Sequence, residues 1–294
     1  MREPGSSQMN QVRESRCHHP HVETRRPIEE RFPRPSVMGV VNVTPDSFSD
    51  GGVNLRPEAA VTAAWGMLDA GAAIIDVGGE STRPGSEGVP VDDELARVVP
   101  VLTELAGAPV SIDTSKAEVA RQALELGAEL VNDVTALRGD PGLVDVVADG
   151  GCYLCLMHML GEPRTMQADP RYDDVVSEVK RFLEERLAFA VDRGIREELV
   201  CLDPGIGFGK TVEHNLELVR RLDELTALGR PVLVGFSRKS TLGRLTGDPA
   251  ARTGSAAASV GAAVAAFERG AAILRVHDVR DHVEALAVAR AVAG

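Results

Sequence analysis

Asp113, Asn132 and Asp203 each end a short apolar run (110–112, 130–131 and 199–202) that has no need of a polar residue. Any one of them could be the N-cap of a following helix, and Asp113-Thr-Ser-Lys116 does read as a helix start. Three together are harder to place, because polar groups at the ends of buried strands must meet a partner. Two carboxylates and an amide suit a flat heterocycle with several N–H donors, such as a 2-amino-4-oxo pterin or guanine. Lys239, Arg275 and His277 follow two more such runs, 232–236 and 271–274, and could hold an anion. Solvated surface charge is the alternative for each. Arg275 follows Ala-Ala-Ile-Leu274 with no turn between, so its side chain is expected along the rim of the site. Asn42, Asp76 and His158 end three further runs, 37–41, 73–75 and 154–157. Asp76 and His158 are as readily structural as functional.

Eight runs with one kind of ending call for one arrangement of strands. Between them lie helical patterns at 57–69, 92–105, 116–126, 140–147, 172–193, 213–225, 253–268 and 279–292. Strand–helix alternation repeated eight times predicts the α/β class, as a (β/α)8 barrel whose strand ends all open on one face. A doubly wound sheet would show Gly-x-Gly-x-x-Gly after its first strand, and Asn42-Val-Thr-Pro45 is not that. In such barrels the loops after the last two strands commonly form a phosphate site, which favours a functional role for Lys239, Arg275 and His277. Two long, Gly- and Ser-bearing loops, 44–52 and 80–88, follow strands and are expected to be mobile lids over this face.

The chain has 294 residues, 44% of them hydrophobic, enough for one barrel over 36–294. Residues 1–35 are rich in Arg, Glu, Pro, Ser and His and are predicted to be a disordered tail. Cys17, His18, His19 and His21 in that tail could bind a metal, but nothing there fixes a geometry. A net charge of −12 argues against non-specific nucleic-acid binding. No apolar stretch approaches the roughly 20 residues that span a bilayer, and no apolar segment follows Arg25-Arg26 as in an export signal. With four cysteines in no framework spacing, the expected location is the cytoplasm. Cys152 and Cys155 have redox spacing but sit in a strand, where i and i+3 point to opposite faces, so they read as buried thiols. Residues 203–211 look like a phosphate loop, yet Pro204 stands where that loop needs glycine. The glycines there are instead expected to let the backbone turn tightly beside a ligand held by Asp203.

The motifs Asn42-Val-Thr-Pro-Asp-Ser-Phe-Ser-Asp-Gly51, Asp76-Val-Gly-Gly-Glu-Ser-Thr-Arg-Pro-Gly85, Ser111-Ile-Asp-Thr-Ser-Lys116, Asn132-Asp133, Leu156-Met-His-Met159, Asp203-Pro-Gly-Ile-Gly-Phe-Gly-Lys210, Gly235-Phe-Ser-Arg-Lys-Ser240 and Arg275-Val-His-Asp-Val279 resemble, in order, those of the bacterial dihydropteroate synthase family. The resemblance implies a barrel that condenses 6-hydroxymethyl-7,8-dihydropterin pyrophosphate with para-aminobenzoate. It implies that Asp113, Asn132, Asp203, Lys239 and Arg275 hold the pterin, with Asp113, Lys239 and Arg275 catalytic. Asn42, Arg275 and His277 would hold the pyrophosphate, with Mg2+ near Asn42 and Asp46. Thr82, Arg83, Pro84, Phe208, Lys239 and Ser240 would form the para-aminobenzoate pocket, which sulfonamides occupy in the family. A homodimer is implied as well. Two alternatives stand beside this. A methyltetrahydrofolate corrinoid methyltransferase would share the Asp/Asn/Asp set but has no need of Thr82-Arg83-Pro84 or Arg275-Val-His277. A catalytically silent paralogue should have lost loop or anion-site residues, and none is lost here.

Overall fold

The computed structural model describes residues 25–44, 57–82, 85–86 and 88–294. Eight parallel strands are β1 (Ser36–Asn42), β2 (Ile74–Gly78), β3 (Val110–Asp113), β4 (Leu130–Asp133), β5 (Tyr153–Met157), β6 (Val200–Asp203), β7 (Leu233–Val234) and β8 (Ile273–Val276). They pair in the order β6-β5-β4-β3-β2-β1-β8-β7, and a parallel bridge between Leu202 and Val232 brings the two ends together. The architecture is the (β/α)8 barrel read from the sequence. Of the polar residues expected to stop the strands, Asn42, Asp113 and Asp203 are last members, Asn132 is last but one in β4, and Asp76 and Arg275 lie inside β2 and β8, one pleat or less below the end.

Strand alternation divides the apolar side chains between two compartments. Ile75, Val77, Val110, Ile112, Val131, Leu154 and Leu202 face outward and pack under the helices. Met38, Ile74, Leu130, Tyr153, Cys155, Cys201, Leu233 and Ile273 face inward. Cys152 falls in the outer compartment and Cys155 in the inner, both as free thiols, as their spacing predicts.

Helix boundaries follow local capping. The helix expected from residue 172 is Val175–Asp192, because the Asp174 carboxylate accepts the Ser177 N–H at 2.8 Å and fixes the start there. The helix expected from 140 is Leu143–Gly150, since the Asp140 carboxylate instead accepts the N–H groups of Gly142 and Ala117 in a turn. The segment 213–225 divides at Arg221 into Val212–Arg220 and Leu222–Thr226. A short helix, Ser240–Leu245, lies where none was expected.

The expected tail boundary at residue 35 needs correction. Residues 25–35 are packed, with a short helix Ile28–Arg31 whose Ile28 is fully buried together with Phe32. Both side chains join the inner compartment from below, with the Phe32 ring edge-on to Tyr153 at 5.7 Å. The Tyr153 hydroxyl donates to the Arg26 carbonyl at 3.0 Å, and Arg31 forms a two-pronged bond to Glu129 at 2.5 and 3.0 Å. This segment stoppers the N-terminal end of the barrel. A charged stretch hides two apolar residues four apart, enough for one buried helical stripe. Residues 1–24, with Cys17, His18, His19 and His21, lie outside the described residues. Among the described residues no helix is long and apolar enough to cross a membrane.

Replacing Phe32 by alanine is expected to lower the unfolding free energy by about 3–5 kcal/mol, the cost of emptying a well-packed aromatic site. Urea denaturation of the full chain checks this. A change under about 1 kcal/mol would mean that the stopper carries no structural weight.

Candidate active site

Parallel register sets polar residues from adjacent strands side by side at the C-terminal end. Asp76 pairs with Ser111, Gly78 with Asp113, Asp113 with Asn132, and Met157 with Asp203. Asp76 is 0% exposed and sits at the centre. Its Oδ1 accepts the Ser111 hydroxyl at 2.7 Å. Its Oδ2 accepts the Asn132 amide at 2.9 Å and Arg275 Nε at 2.6 Å. Arg275 then reaches on with Nη2 to Asp113 Oδ2 at 2.7 Å. Its guanidinium therefore lies across the mouth, bridging two carboxylates, rather than along the rim as expected. The sequence does not decide between a structural and a functional Asp76; the fold makes it the group on which three others are oriented.

These bonds leave one side of each recognition group open. Among the described residues Asp113 Oδ1, Asn132 Oδ1 and Asp203 Oδ2 take no hydrogen bond, and none is sealed from solvent. Asn132 gives its NH2 to Asp76, so its carbonyl faces the other way. Asp203 is held by the Gly205 N–H on Oδ1 at 2.7 Å. Three oriented acceptor oxygens thus face the mouth of one barrel. Asp133, next to Asn132, points away and takes the N–H groups of Thr135 and Leu137, shaping the loop behind β4.

Burial outweighs pairing in the electrostatics. Desolvation raises the Asp113 carboxyl to about 7, against the opposing pull of Arg275 and with a further push from Asp76. Desolvation likewise raises Asp203 to about 6, opposed by the Gly205 N–H and then by Lys239. His277 is held down to about 3 by burial and the nearby Arg275, so it is a neutral ring whose Nδ1 lies 3.0 Å from the Ser237 hydroxyl.

The glycine loop after β6 forms the opposite wall. Gly205, Gly207 and Gly209 all have left-handed backbones, at φ of 68, 83 and 67°. A Cβ on Gly205 would lie 1.9 Å from the His158 carbonyl oxygen, and one on Gly209 would lie 2.6 Å from Leu160 Cβ. The loop turns Phe208 toward Lys239, whose ammonium stands 4.3 Å from the ring centroid. Lys210 does not reach for an anion. It is 3% exposed, with Nζ 2.9 Å from His158 Nδ1 and 3.0 Å from the Phe208 carbonyl. Burial lowers Lys210 to about 7 and His158 to about 2.

Most of the expected site residues meet here. Asn42 Oδ1 and Asp113 close around Gly78, where a Cβ would be 3.7 Å from the first and 3.4 Å from Asp113 Cβ. Ser240 starts the helix that follows Lys239. The preceding residue, Arg238, has a left-handed φ of 56° and is fixed by a two-pronged bond to Asp278. Thr82 is partly buried in the loop after β2. The base of that loop is tied down by Lys116, which bonds both Glu80 and Glu94, and by Arg97 on the Gly79 carbonyl at 2.7 Å. Arg83, Pro84 and Asp46 lie outside the described residues, as does the expected first lid from residue 45 to 52. The sequence leaves Asp76 undecided and does not single out Ser111 or Lys210. Asp76 and Ser111 stand in the motifs quoted for the resemblance, and their period-two position before a strand end was the available signal.

A parallel barrel with three acceptors and a guanidinium at its mouth matches a known class of site. Residues 38–277 match the model of the pterin binding enzyme family, to which the chain belongs. The dihydropteroate synthase of Escherichia coli K12 is 48% identical over 261 residues, covering 87% of this chain and 91% of that one. Among solved structures, the dihydropteroate synthase of Yersinia pestis, in a complex with a sulfonamide drug, is 46% identical with a TM-score of 0.83, covering 88% of this chain and 94% of that one. That of Xanthomonas albilineans, with 4-aminobenzoic acid, is 49% identical with a TM-score of 0.82, covering 90% and 94%.

A carboxyl raised in the fold binds its proton more tightly folded than unfolded. The stability it contributes is fully present below its unfolded value of about 4 and is lost as pH rises toward 7. The free energy of unfolding of the native chain is therefore expected to fall relative to that of Asp113→Asn between pH 4 and 7. Urea titrations at three pH values across this window measure it. Parallel curves for the two proteins would show that Asp113 is not raised.

Proposed function

We propose that this chain is a dihydropteroate synthase, a transferase of folate biosynthesis. It joins 6-hydroxymethyl-7,8-dihydropterin pyrophosphate to para-aminobenzoate and releases 7,8-dihydropteroate and pyrophosphate. The observation that carries this is the set of three acceptor oxygens at the barrel mouth: Asn132 oriented by Asp76, Asp113 held through Arg275, and Asp203 held by the Gly205 N–H. A pterin edge presents the matching N–H donors. In this reading Lys239 also reaches the ring, and the planar Arg275 guanidinium stacks on its face. Asn42, Arg275 and His277 receive the pyrophosphate. Thr82, Arg83, Pro84, Phe208, Lys239 and Ser240 form the para-aminobenzoate pocket, and the Phe208–Lys239 stack supports that location.

Breaking the C–O bond to pyrophosphate leaves positive charge on the pterin methylene carbon, delocalised into the ring. The Asp113 carboxylate stabilises that charge as it develops, Arg275 attracts the departing anion, and the neutral His277 ring offers it an N–H donor. The arylamine nitrogen then attacks the methylene and loses its proton. A cation-first route suits so weak a nucleophile, and the loops after β1 and β2 would keep water from the cation. The amide oxygen of Asn42 and the carboxylate of Asp46 are hard donors of the kind magnesium takes alongside substrate phosphates. Magnesium held there would neutralise charge on the leaving pyrophosphate.

The corrinoid methyltransferase reading leaves Arg275, His277 and the Thr82 loop without a task. A silent pterin-binding paralogue would keep the acceptor set but would have no need of the loop and anion-site residues, which this sequence retains. We also propose a homodimer and a cytoplasmic location. Val288 and Val292, 65% and 83% exposed on the helix Val279–Ala293, offer an apolar contact for a second copy. Cys155 and Cys201 stand opposite one another as free thiols, which fits a reducing compartment.

Pyrophosphate release that requires both substrates tests the assignment, and its absence under all conditions would favour the silent paralogue. Asp113→Asn should fold and lose turnover by about a hundredfold or more, because its charge acts mainly in the transition state. Near-native turnover would remove Asp113 from the catalytic set. Lys239→Ala should weaken pterin binding in calorimetry, and unchanged affinity would take Lys239 out of the pterin site.

A further inference from the structure

The stretch that resembles a phosphate loop has a different use for its lysine. The three carbonyls from Gly207 to Gly209 and the Gly207 N–H are each held by a side chain. Asn215 Oδ1 accepts the Gly207 N–H at 2.8 Å, and Gln167 donates to the Gly207 carbonyl at 2.6 Å. The Tyr172 hydroxyl donates to the Gly209 carbonyl at 2.8 Å. The Phe208 carbonyl takes Lys210 Nζ at 3.0 Å, and the same ammonium reaches the ring and carbonyl of His158 at 2.9 and 3.5 Å. Its three donors thus have three acceptors, with none left for a phosphate. His158 is boxed in by Phe182, edge-on at 4.8 Å, so the lysine is tied to a fixed point at the end of β5. Among the described residues Lys210 is the one side chain that holds the backbone of Phe208. Three left-handed glycines cannot keep that loop in one shape unaided.

We propose that Lys210 is a positioning residue for the arylamine substrate: it holds the Phe208 carbonyl to the end of β5, fixes the Phe208 ring beneath Lys239, and binds no anion. This rests on the assignment of Phe208 and Lys239 to the para-aminobenzoate pocket.

The test uses Lys210→Met, which keeps the length of the side chain and removes its donors, and Lys210→Gln, which keeps an N–H for the Phe208 carbonyl. Steady-state kinetics are run with each substrate varied, and pterin pyrophosphate affinity is measured by calorimetry without para-aminobenzoate. Lys210→Met is expected to raise KM for para-aminobenzoate roughly tenfold or more, the scale of a small misplacement. Affinity for pterin pyrophosphate should stay within about twofold. Lys210→Gln should recover part of the loss. In a Phe208→Ala background, Lys210→Met should add little, because the group it positions is gone. If Lys210→Met does not fold, the same selective rise in Lys210→Gln carries the test. An unchanged KM for para-aminobenzoate would overturn the proposal, as would an equal loss of pterin pyrophosphate affinity, the mark of an anion ligand. These outcomes require an active native enzyme, so a native chain that releases no pyrophosphate refutes the function and not the positioning role.

Discussion

The arrangement at the mouth of this barrel depends on a carboxylate that is fully buried beneath it. Asp76 takes three hydrogen bonds, from Ser111, Asn132 and Arg275. The last two each fix something a ligand would use. Asn132 is made an acceptor because its donor side is spent on Asp76. Arg275 is brought across the opening, where it can neutralise Asp113. Without an anion at that depth, only Asp113 would remain to offset the desolvation of the guanidinium, and an undercompensated buried charge is costly. Buried ion pairs are poor sources of stability but good devices for fixing geometry, and this one fixes the groups that face the substrate.

The opposite wall obtains its rigidity differently. The loop after β6 must pass close to His158 and Leu160, so it is built of glycine at the contact points. Glycine permits the close approach but cannot enforce it. Enforcement comes from Asp203, Asn215, Gln167, Lys210 and Tyr172, which bind successive backbone groups. Asn215 also donates to the Thr241 hydroxyl at 2.9 Å, coupling this loop to the helix that begins at Ser240. The two walls of the cleft, pterin edge and arylamine pocket, therefore share members. Asp203 faces one and anchors the loop that forms the other.

Much of this was legible in the sequence because strand period and strand ending carry it directly. Eight β-branched runs separated by helical patterns specify a parallel barrel, and a parallel barrel sends all strand ends to one face. Asp113, Asn132 and Asp203 were therefore readable as a set. Arg275 was placed correctly at the mouth but in the wrong direction, since its direction depends on Asp76, a residue 199 positions away in the chain. Lys210 was hidden by its neighbours: a lysine after a glycine loop suggests a phosphate, and only the fold shows His158 beside it. The stopper was missed because composition averages over residues 25–35, where two buried side chains outweigh many charged ones.

That stopper completes the logic of the barrel interior. Below Asp76 the lumen holds Met38, Ile74, Leu130, Tyr153, Leu233 and Ile273, closed from beneath by Ile28 and Phe32. Above it, the lumen is ionic. The dry lower half removes water from under Asp76 and Arg275, so their attraction is not screened from below. Burial at the mouth raises Asp113 and Asp203 toward neutrality. A carboxyl poised near neutrality is restored to full charge by whatever positive group comes to face it. In a reaction that develops a cation on the pterin methylene, that restoration coincides with the moment the charge is useful. The apolar plug at one end of the barrel and the chemistry at the other are thus parts of one electrostatic design, joined through Asp76.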